Sequence, residues 1–252
     1  MPSDMTLLLE KLKNMKEIYE GAIREGKYLE LIRSQKLINI LHDYAKKELA
    51  RLFPSTWIYK EKKIYGYPKT KSQDILIQPP QNGSANISTG PIAIVNIRSQ
   101  LSSIEKNYDT LFERLFAEAL NIHNRFPHVV LAYIYLLPKI GYDEEAAKRK
   151  EVARTERYDL EKYIISFLSI TNRKDPEDSP WKYERMALLI VDFEKDPPIV
   201  LDDMNSFLRE KLVSEDFARS FTFEPLSIRN FFDDIYKIAM QRYYLLLGRR
   251  KI

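Results

Sequence analysis

Two apolar stretches of strand length carry polar side chains where a buried strand normally has none: KSQDILIQPP at residues 71–80 and PIAIVNIRSQ at residues 91–100. Near the end of the second stretch every other residue is Asn96, Arg98 or Gln100. Successive side chains of a strand point to opposite faces, so these three share one face. An asparagine offers a carbonyl oxygen to a cation, and an arginine neutralises a phosphate. The spacing therefore predicts a strand with one face in the core and the other facing a site.

A basic and aromatic stretch, WIYKEKKIYGYPKTK at residues 57–71, leads into the first of these strands. Its lysines are Lys60, Lys62, Lys63, Lys69 and Lys71. Lysines interleaved with tyrosines can follow a phosphate backbone while the rings pack on sugars or bases. We therefore predict nucleic-acid binding by these lysines and by Gln100. The alternatives are a solvated hairpin for the lysines and a helix-capping role for Gln100.

The chain has no cysteine and three widely separated histidines among its 252 residues, which limits the chemistry it can perform. Thiol catalysis, disulfides and cysteine-based zinc sites are excluded, and three separated histidines give little support for a histidine metal cluster. Any metal would be held by oxygen atoms, which favours Mg²⁺ or Mn²⁺. We interpret His42, His123 and His128 as ordinary helix or strand-end residues. Neither a glycine-rich phosphate loop nor a G-x-S-x-G sequence occurs, so nucleotide hydrolysis and serine-hydrolase chemistry are not indicated.

The composition, 44% hydrophobic and 30% charged, is typical of a soluble globular protein with a substantial core. The net charge of +4 permits a polyanionic partner without requiring one. The longest apolar run, at residues 127–138, is shorter than the ~18 residues that span a bilayer. The N-terminus alternates charged residues with leucine, unlike a secretory signal. We expect a cytoplasmic protein without a membrane partner.

The periodicity of apolar residues changes along the chain and predicts the elements that position these side chains. In chain order they are helices at 4–20 and 26–53, a hairpin from residue 57 with its turn at 60–63 or at Gly66, a strand at 74–78, a loop at 79–90, a strand at 92–99, a helix at 110–125, a strand at 129–137, a charged helical section at 141–170, a strand at 183–198, and helices around 203–212 and 227–247. This order predicts one α/β domain over 1–252, a mixed central sheet flanked by helices. Within it we distinguish N-terminal helices at about 4–53, a core at about 54–138 and a C-terminal part at about 139–252.

Residues 40–138 resemble the PD-(D/E)XK nucleases, type II restriction endonucleases in particular. The similar features are a hairpin, an acidic residue opening a strand, a loop, a strand with polar residues two apart, and a helix. The resemblance implies a restriction-endonuclease-like core with an aspartate, a carboxylate on the next strand and a lysine two residues later. The two carboxylates hold magnesium, and the lysine orients the attacking water. Asp74 matches the first position, Asn96 stands at the second and Arg98 replaces the lysine.

Some restriction enzymes of this family carry the second carboxylate on the following helix, and the resemblance extends this possibility to TLFERLFAEAL at residues 110–120. Glu113 and Glu118 lie in that helix, fifteen and twenty residues after Arg98. We prefer Glu113 as the metal ligand because it is closer to the helix N-terminus and so to the end of the strand. Four of the candidate residues also have a structural explanation. Asp74 suits a strand-end turn, Glu113 suits a first helical turn, and Asn96 and Arg98 suit the exposed face of an edge strand.

The resemblance implies a Mg²⁺- or Mn²⁺-dependent, sequence-specific endonuclease that cleaves double-stranded DNA. In it Asp74 and a helix glutamate bind the metal, Arg98 faces the scissile phosphate and Asn96 orients a ligand or water. Cleavage of two strands implies a homodimer, and a DNA methyltransferase that protects the same sequence is the implied partner enzyme. The alternative is a catalytically degenerate, nuclease-fold protein that binds DNA or joins a larger complex, which Asn96 and Arg98 favour. A third interpretation is a structural interaction protein.

Overall fold

The structure is a computed structural model that describes residues 3–80 and 90–248. Its strands are β1 (Ile58–Tyr65), β2 (Thr70–Ile77), β3 (Ala93–Ser99), β4 (Val130–Pro138), β5 (Gly141–Tyr142), β6 (Arg154–Glu156), β7 (Arg185–Asp192) and β8 (Ile199–Leu201). Its helices are α1 (Met5–Glu25), α2 (Tyr28–Arg33), α3 (Lys36–Ala50), α4 (Tyr108–His123), α5 (Glu144–Lys148), α6 (Leu160–Ile170), α7 (Met204–Arg209), α8 (Glu215–Ser220) and α9 (Phe231–Gly248). Short 3-10 turns lie at Ser55–Trp57, Glu105–Asn107 and Glu224–Leu226.

In the part of the chain that the structure describes, six strands form one mixed sheet in the order β1-β2-β3-β4-β7-β8, and helices cover both of its faces. Neighbouring strands are antiparallel in β1-β2-β3 and in β7-β8, and parallel in β3-β4-β7. β5 and β6 pair separately as a two-stranded ribbon. The predicted α/β class, a mixed central sheet flanked by helices, is confirmed.

The central strands are buried because each face of the sheet carries its own helical layer. All nine residues of β4 are buried, which explains its nearly continuous apolar sequence. In β3, Ala93, Val95 and Ile97 pack toward the layer that contains α1, α3 and α9, and Ile94 packs toward the layer that contains α4 and α6. Asn96 is two residues from Ile94, and strand alternation therefore turns it toward α4.

The direction of α4 follows from the sheet. β3 and β4 are parallel, so the chain must travel back along the sheet between them, and α4 makes this return. Leu111, Leu115, Ala119 and Ile122 recur at helical spacing and pack onto the sheet. The middle of α4 therefore passes over the middle of β3.

The N-terminal helices differ from the prediction at their boundaries. Gly21 does not end the first helix; α1 continues to Glu25 and ends at Gly26, whose φ of 75° is left-handed and suits a glycine cap. The second predicted helix is two helices, α2 and α3, separated by Ser34 and Gln35. Ser34 has an extended backbone, which interrupts the helix locally without interrupting the apolar pattern.

The predicted hairpin is present, and its turn occupies residues 66–69. The alternative at Gly66 is confirmed. The alternative at 60–63 is wrong because these residues lie inside β1, where Lys60, Lys62 and Lys63 pair with β2. The predicted loop at 79–90 falls largely on 81–89, outside the described residues.

The C-terminal part is more divided than the periodicity indicates. The section at 141–170 contains β5, α5, β6 and α6 instead of continuous helix. β7 ends at Asp192, and the prediction omits both β8 and α8. These two elements have three and six residues, too few for a period to be read. Over the described ranges, no helix is both long and apolar enough to cross a bilayer.

Candidate functional site

A cleft of about 720 Å³ opens where β2 and β3 diverge. The two strands pair over residues 75–77 and 93–95. On the other edge of β2, the register with β1 skips Glu61 and Asp74, and Glu61 has a φ of 50°. The register is the same on both sides of this interruption, because Lys60 pairs with Ile75 and Lys62 with Gln73. Most of the predicted catalytic residues line this cleft.

Asp74 lies in the gap between β2 and β3, and its side chain continues the hydrogen bonding of the sheet. Its Oδ2 accepts a hydrogen bond from the backbone N of Ile97 at 2.7 Å. Its own backbone N donates to Oδ1 of Asn96 at 3.0 Å. The side chain is 31% exposed, and Oδ1 receives no hydrogen bond from the described part of the chain. One carboxylate oxygen is therefore fixed by the backbone and the other faces the cleft.

Asn96 is the centre of the hydrogen-bond network, and it is 5% exposed. Its Nδ2 donates to Oε1 of Gln73 at 2.7 Å and to Oε1 of Glu118 at 2.6 Å, while its Oδ1 accepts from Asp74. A primary amide has two donor hydrogens and one acceptor oxygen, so this residue uses both ends. Asn96 therefore joins the carboxylate on α4 to the strand that carries Asp74.

Glu118 enters the cleft from the middle of α4 with its side chain 8% exposed. Its Oε2 forms an ion pair with Nζ of Lys71 at 2.9 Å. Burial raises the pKa of the Glu118 carboxyl; the charge of Asp74 adds to this rise, and Lys71 and Arg98 oppose it. Two carboxyl groups and two cations thus interact within one cleft.

Arg98 and Gln100 line the outer part of the cleft. Arg98 is exposed and makes no ion pair with any residue described in the structure, so its guanidinium is open to an anion. Gln100 does not cap α4; its Nε2 donates to the backbone O of Ser102 at 2.5 Å, within the turn that follows β3.

His42 reaches the site from α3, and the interpretation of it as an ordinary helix residue does not describe its position. It is 3% exposed, lines the cleft and places Nε2 3.6 Å from Oδ2 of Asp74. Neither ring nitrogen has a hydrogen-bond partner among the described residues. A buried polar group without a partner is uncommon. The sequence carries no signal for this role, because His42 and Asp74 meet only through the packing of α3 on the sheet.

Glu113 lies outside the cleft. It is exposed on α4, in a shallow groove with Phe112 and Phe116. The preference for Glu113 assumes a site at the end of β3, whereas Asn96 is in the middle of that strand. Because α4 runs back over β3, a residue further along the helix is the one that reaches Asn96. The structure brings together Asp74 and Glu118, and it leaves Glu113 on another surface.

The predicted lysines divide between the cleft and the outside of the hairpin. Lys71 is part of the cleft. Lys60 pairs with Asp43 at 2.8 Å, and Lys62 donates to Gln78 and lies over the ring of Tyr59. Two further exposed lysines of the hairpin, which do not line the cleft, are Lys63 and Lys69. The hairpin therefore presents one lysine to the site and the others to solvent or to neighbouring side chains.

The donor atoms of the cleft suit a hard cation. No three histidine, aspartate or glutamate side chains in residues 3–80 and 90–248 are grouped as a metal site made by protein alone. Mg²⁺, however, is usually held by one or two carboxylates and completes its shell with water and substrate phosphate. Asp74 and Glu118 supply two carboxylates, although Glu118 is shared with Lys71.

Comparison of the chain with protein-family models, curated proteins and solved structures found no match.

Proposed function

We propose that this protein is a metal-dependent endonuclease that cleaves double-stranded DNA at a specific sequence, of the type II restriction kind within the PD-(D/E)XK nucleases. The observation that carries the proposal is the meeting of Asp74 and Glu118 through Asn96, in a cleft that also contains Arg98 and Lys71. Two carboxylates beside two cations match what phosphodiester hydrolysis needs: a place for a divalent cation and positive charge for the phosphate.

Asp74 and Glu118 would hold Mg²⁺ or Mn²⁺. When bound, the metal would activate water and neutralise charge on the phosphate. The protein's own residues prepare the site. The backbone N of Ile97 fixes one oxygen of Asp74, and Asn96 holds Glu118 toward it. Both carboxylates are therefore oriented before the substrate arrives.

Arg98 and Lys71 would receive the phosphate. A guanidinium stays protonated, so Arg98 neutralises and positions the phosphate and does not transfer a proton. Lys71 is 45% exposed on its hairpin strand, and its ammonium can exchange Glu118 for a phosphate oxygen. Arg98 thereby takes the position of the family lysine for charge but not for proton transfer.

The proposal extends to the assembly. Symmetric cleavage of a duplex needs two active sites, so the protein would act as a homodimer. A DNA methyltransferase that modifies the same sequence would protect the host DNA, and both enzymes would work in the cytoplasm.

The test is cleavage of mixed-sequence duplex DNA by purified protein with Mg²⁺, with Mn²⁺ and with a chelator. We expect discrete fragments with metal only. Asp74→Asn and Glu118→Gln should each slow cleavage by roughly a thousandfold, and Glu113→Gln should cut at the wild-type rate because it lies outside the cleft. Absence of fragments with either metal, or full activity of Asp74→Asn, would contradict the proposal.

A second candidate function is DNA binding without cleavage. The ion pair between Lys71 and Glu118 favours it, because a carboxylate already neutralised by a lysine has less charge to offer a metal. Asn96 and Arg98 favour it as well, since neither supplies the carboxylate or the lysine of the active family members. Retention of duplex DNA by the wild-type protein, with no fragments under any metal, would select this function.

A further inference from the structure

A small pocket adjoins the cleft and shares Arg98 with it. It has a volume of about 60 Å³ and is lined by Arg98, Gln100, Asn107, Thr110, Leu111, Arg114 and Tyr135. Three of these residues, Arg98, Gln100 and Asn107, also line the cleft. A cavity of ~10–15 Å³ admits one water molecule, so the pocket has room for a group the size of a phosphate. We call it the Arg114 pocket.

The described lining of the Arg114 pocket is positively charged. Among residues 3–80 and 90–248, this lining contains two arginines and no acidic residue. Neither Arg98 nor Arg114 forms an ion pair with the described residues, and the same holds for Lys106, which lines the adjoining cleft. Other cations near the cleft are paired, as Lys71 is with Glu118 and Lys60 with Asp43. Unpaired cations that converge on one cavity attract an anion.

The polar groups of the pocket are compatible with a phosphate. Asn107 Nδ2 donates one hydrogen bond to the backbone O of Ser103 at 2.7 Å and keeps a second hydrogen. The hydroxyl of Tyr135 is protonated at neutral pH, as that of an ordinary tyrosine is, and is a potential donor; burial raises its pKa further. The planar guanidinium group of an arginine can donate two parallel hydrogen bonds to two oxygens of one phosphate.

We propose that the Arg114 pocket binds a second phosphate of the nucleic-acid backbone, next to the phosphate that the proposed function brings to Asp74 and Arg98. This inference rests on the proposed function, and it names the substrate as a polyphosphodiester held at two successive positions. Arg98 lies between the two sites and contacts both. Arg114 therefore contributes to binding and not to the chemical step.

The test is fluorescence anisotropy of a labelled duplex with chelator present, so that binding is measured without cleavage, over a series of salt concentrations. Arg114→Gln should weaken binding about tenfold and lower the slope of log affinity against log salt by about 0.9, the value for one lost phosphate contact. The matched control is Arg209→Gln, an exposed arginine on α7 that lines neither the cleft nor the pocket. It should leave both quantities unchanged. Circular dichroism melts should show that both variants are folded.

Separate readouts distinguish the two proposals. In the presence of Mg²⁺, Arg114→Gln should raise KM about tenfold with little change in kcat, whereas Asp74→Asn should lower kcat. If Arg114→Gln binds DNA with the same affinity and salt slope as the wild type, the proposed phosphate binding by the pocket is refuted, and the proposed cleavage is unaffected. No binding of DNA by the wild-type protein at low salt would overturn both. Calorimetry with inorganic phosphate is a further measurement. If the wild-type protein binds phosphate but not DNA, and Arg114→Gln does not bind phosphate, the pocket is a site for free phosphate. That result would overturn its role in nucleic-acid binding.

Discussion

At the scale of single residues, one neutral amide holds the candidate site together. Asn96 accepts from Asp74 and donates to Gln73 and Glu118, all within a region that water reaches poorly. In such an environment a satisfied network is rigid, and each bond lost leaves a buried polar atom without a partner. A carboxylate in the place of this amide could not donate these hydrogen bonds, and beside Glu118 it would add a like charge.

We predict that Asn96→Ala lowers the free energy of unfolding by about 2–4 kcal/mol, since it strands polar atoms of three neighbours at once. Urea unfolding followed by circular dichroism measures this. Asn14→Ala on the exposed face of α1 is the control, expected within ~0.5 kcal/mol of wild type. Equal stability of the two variants would show that the network contributes little.

Glu118 makes stability depend on pH. Its pKa is higher in the folded protein than its ordinary value of 4.5, so the folded state holds the proton more tightly than the unfolded chain does. The free energy of unfolding should therefore fall as pH rises from 4.5 through the raised pKa. Glu118→Gln cannot ionise and should escape this loss. Its stability relative to wild type should rise across that window and be constant below it. Urea unfolding at a series of pH values tests this, and a difference independent of pH would refute it.

At the scale of elements, the β1-β2 hairpin is attached to α4 through its turn. Asn121 on α4 donates to the backbone O of Lys69 and accepts from its backbone N, each at 3.1 Å, and its backbone O accepts from Tyr67. Gly66 lies directly beneath this side chain: a Cβ there would be 2.3 Å from Nδ2 of Asn121. The attachment holds β2, and with it Lys71 and Asp74, in register with the helix that carries Glu118.

Gly66→Ala should lower the free energy of unfolding by about 1–3 kcal/mol, because its methyl group overlaps the Asn121 amide. Gly21→Ala is the matched control. A Cβ at Gly21 meets no atom of the described residues within 4 Å, and Gly21 is inside α1, so this change should stabilise the protein by about 0.5–1 kcal/mol. Thermal and urea unfolding compare them. Adding Asn121→Ala to Gly66→Ala should cost less than the sum of the single changes; strict additivity would argue against the overlap.

At the scale of the whole molecule, a buried ionic network joins both helical layers to the sheet. Glu184, just before β7, accepts from Arg173 and from Arg242 on α9, each at 2.7 Å, and lies 3.3 Å from Nε2 of His123 on α4. Burial alone would raise the pKa of Glu184, but His123 and Arg242 outweigh it and hold the pKa below its ordinary value. The network lies apart from the cleft and has a structural role.

Glu184→Gln should lower the free energy of unfolding by about 3–5 kcal/mol, because it leaves two buried guanidinium groups without their counter-charge. Glu145→Gln, which breaks an exposed pair with Lys148, is the control and should cost less than ~1 kcal/mol. Differential scanning calorimetry compares the melting temperatures. Similar melting of both variants would contradict a stabilising role for the network.

Local sequence patterns predicted most of the long helices and strands of this fold. The alternation in β3 predicted Asn96 and Arg98 on one face, the apolar runs predicted β4 and β7, and the periodicity predicted α4, because each pattern is set by neighbours a few residues apart. Short elements such as β8 and α8 were not predicted, since they contain too few residues to show a period. The same limit hid the interruption between α2 and α3.

The sequence by itself determined the class of the fold, the absence of cysteine from any site and the polar face of β3. Only the tertiary structure decided that Glu118 and not Glu113 reaches that face, that His42 stands beside Asp74, and that Arg98 and Arg114 share a pocket. The physical reason is distance along the chain. These partners are between sixteen and thirty-two residues apart, so their meeting depends on the return direction of α4, the packing of α3 and the divergence of β2 from β3, none of which a local pattern encodes.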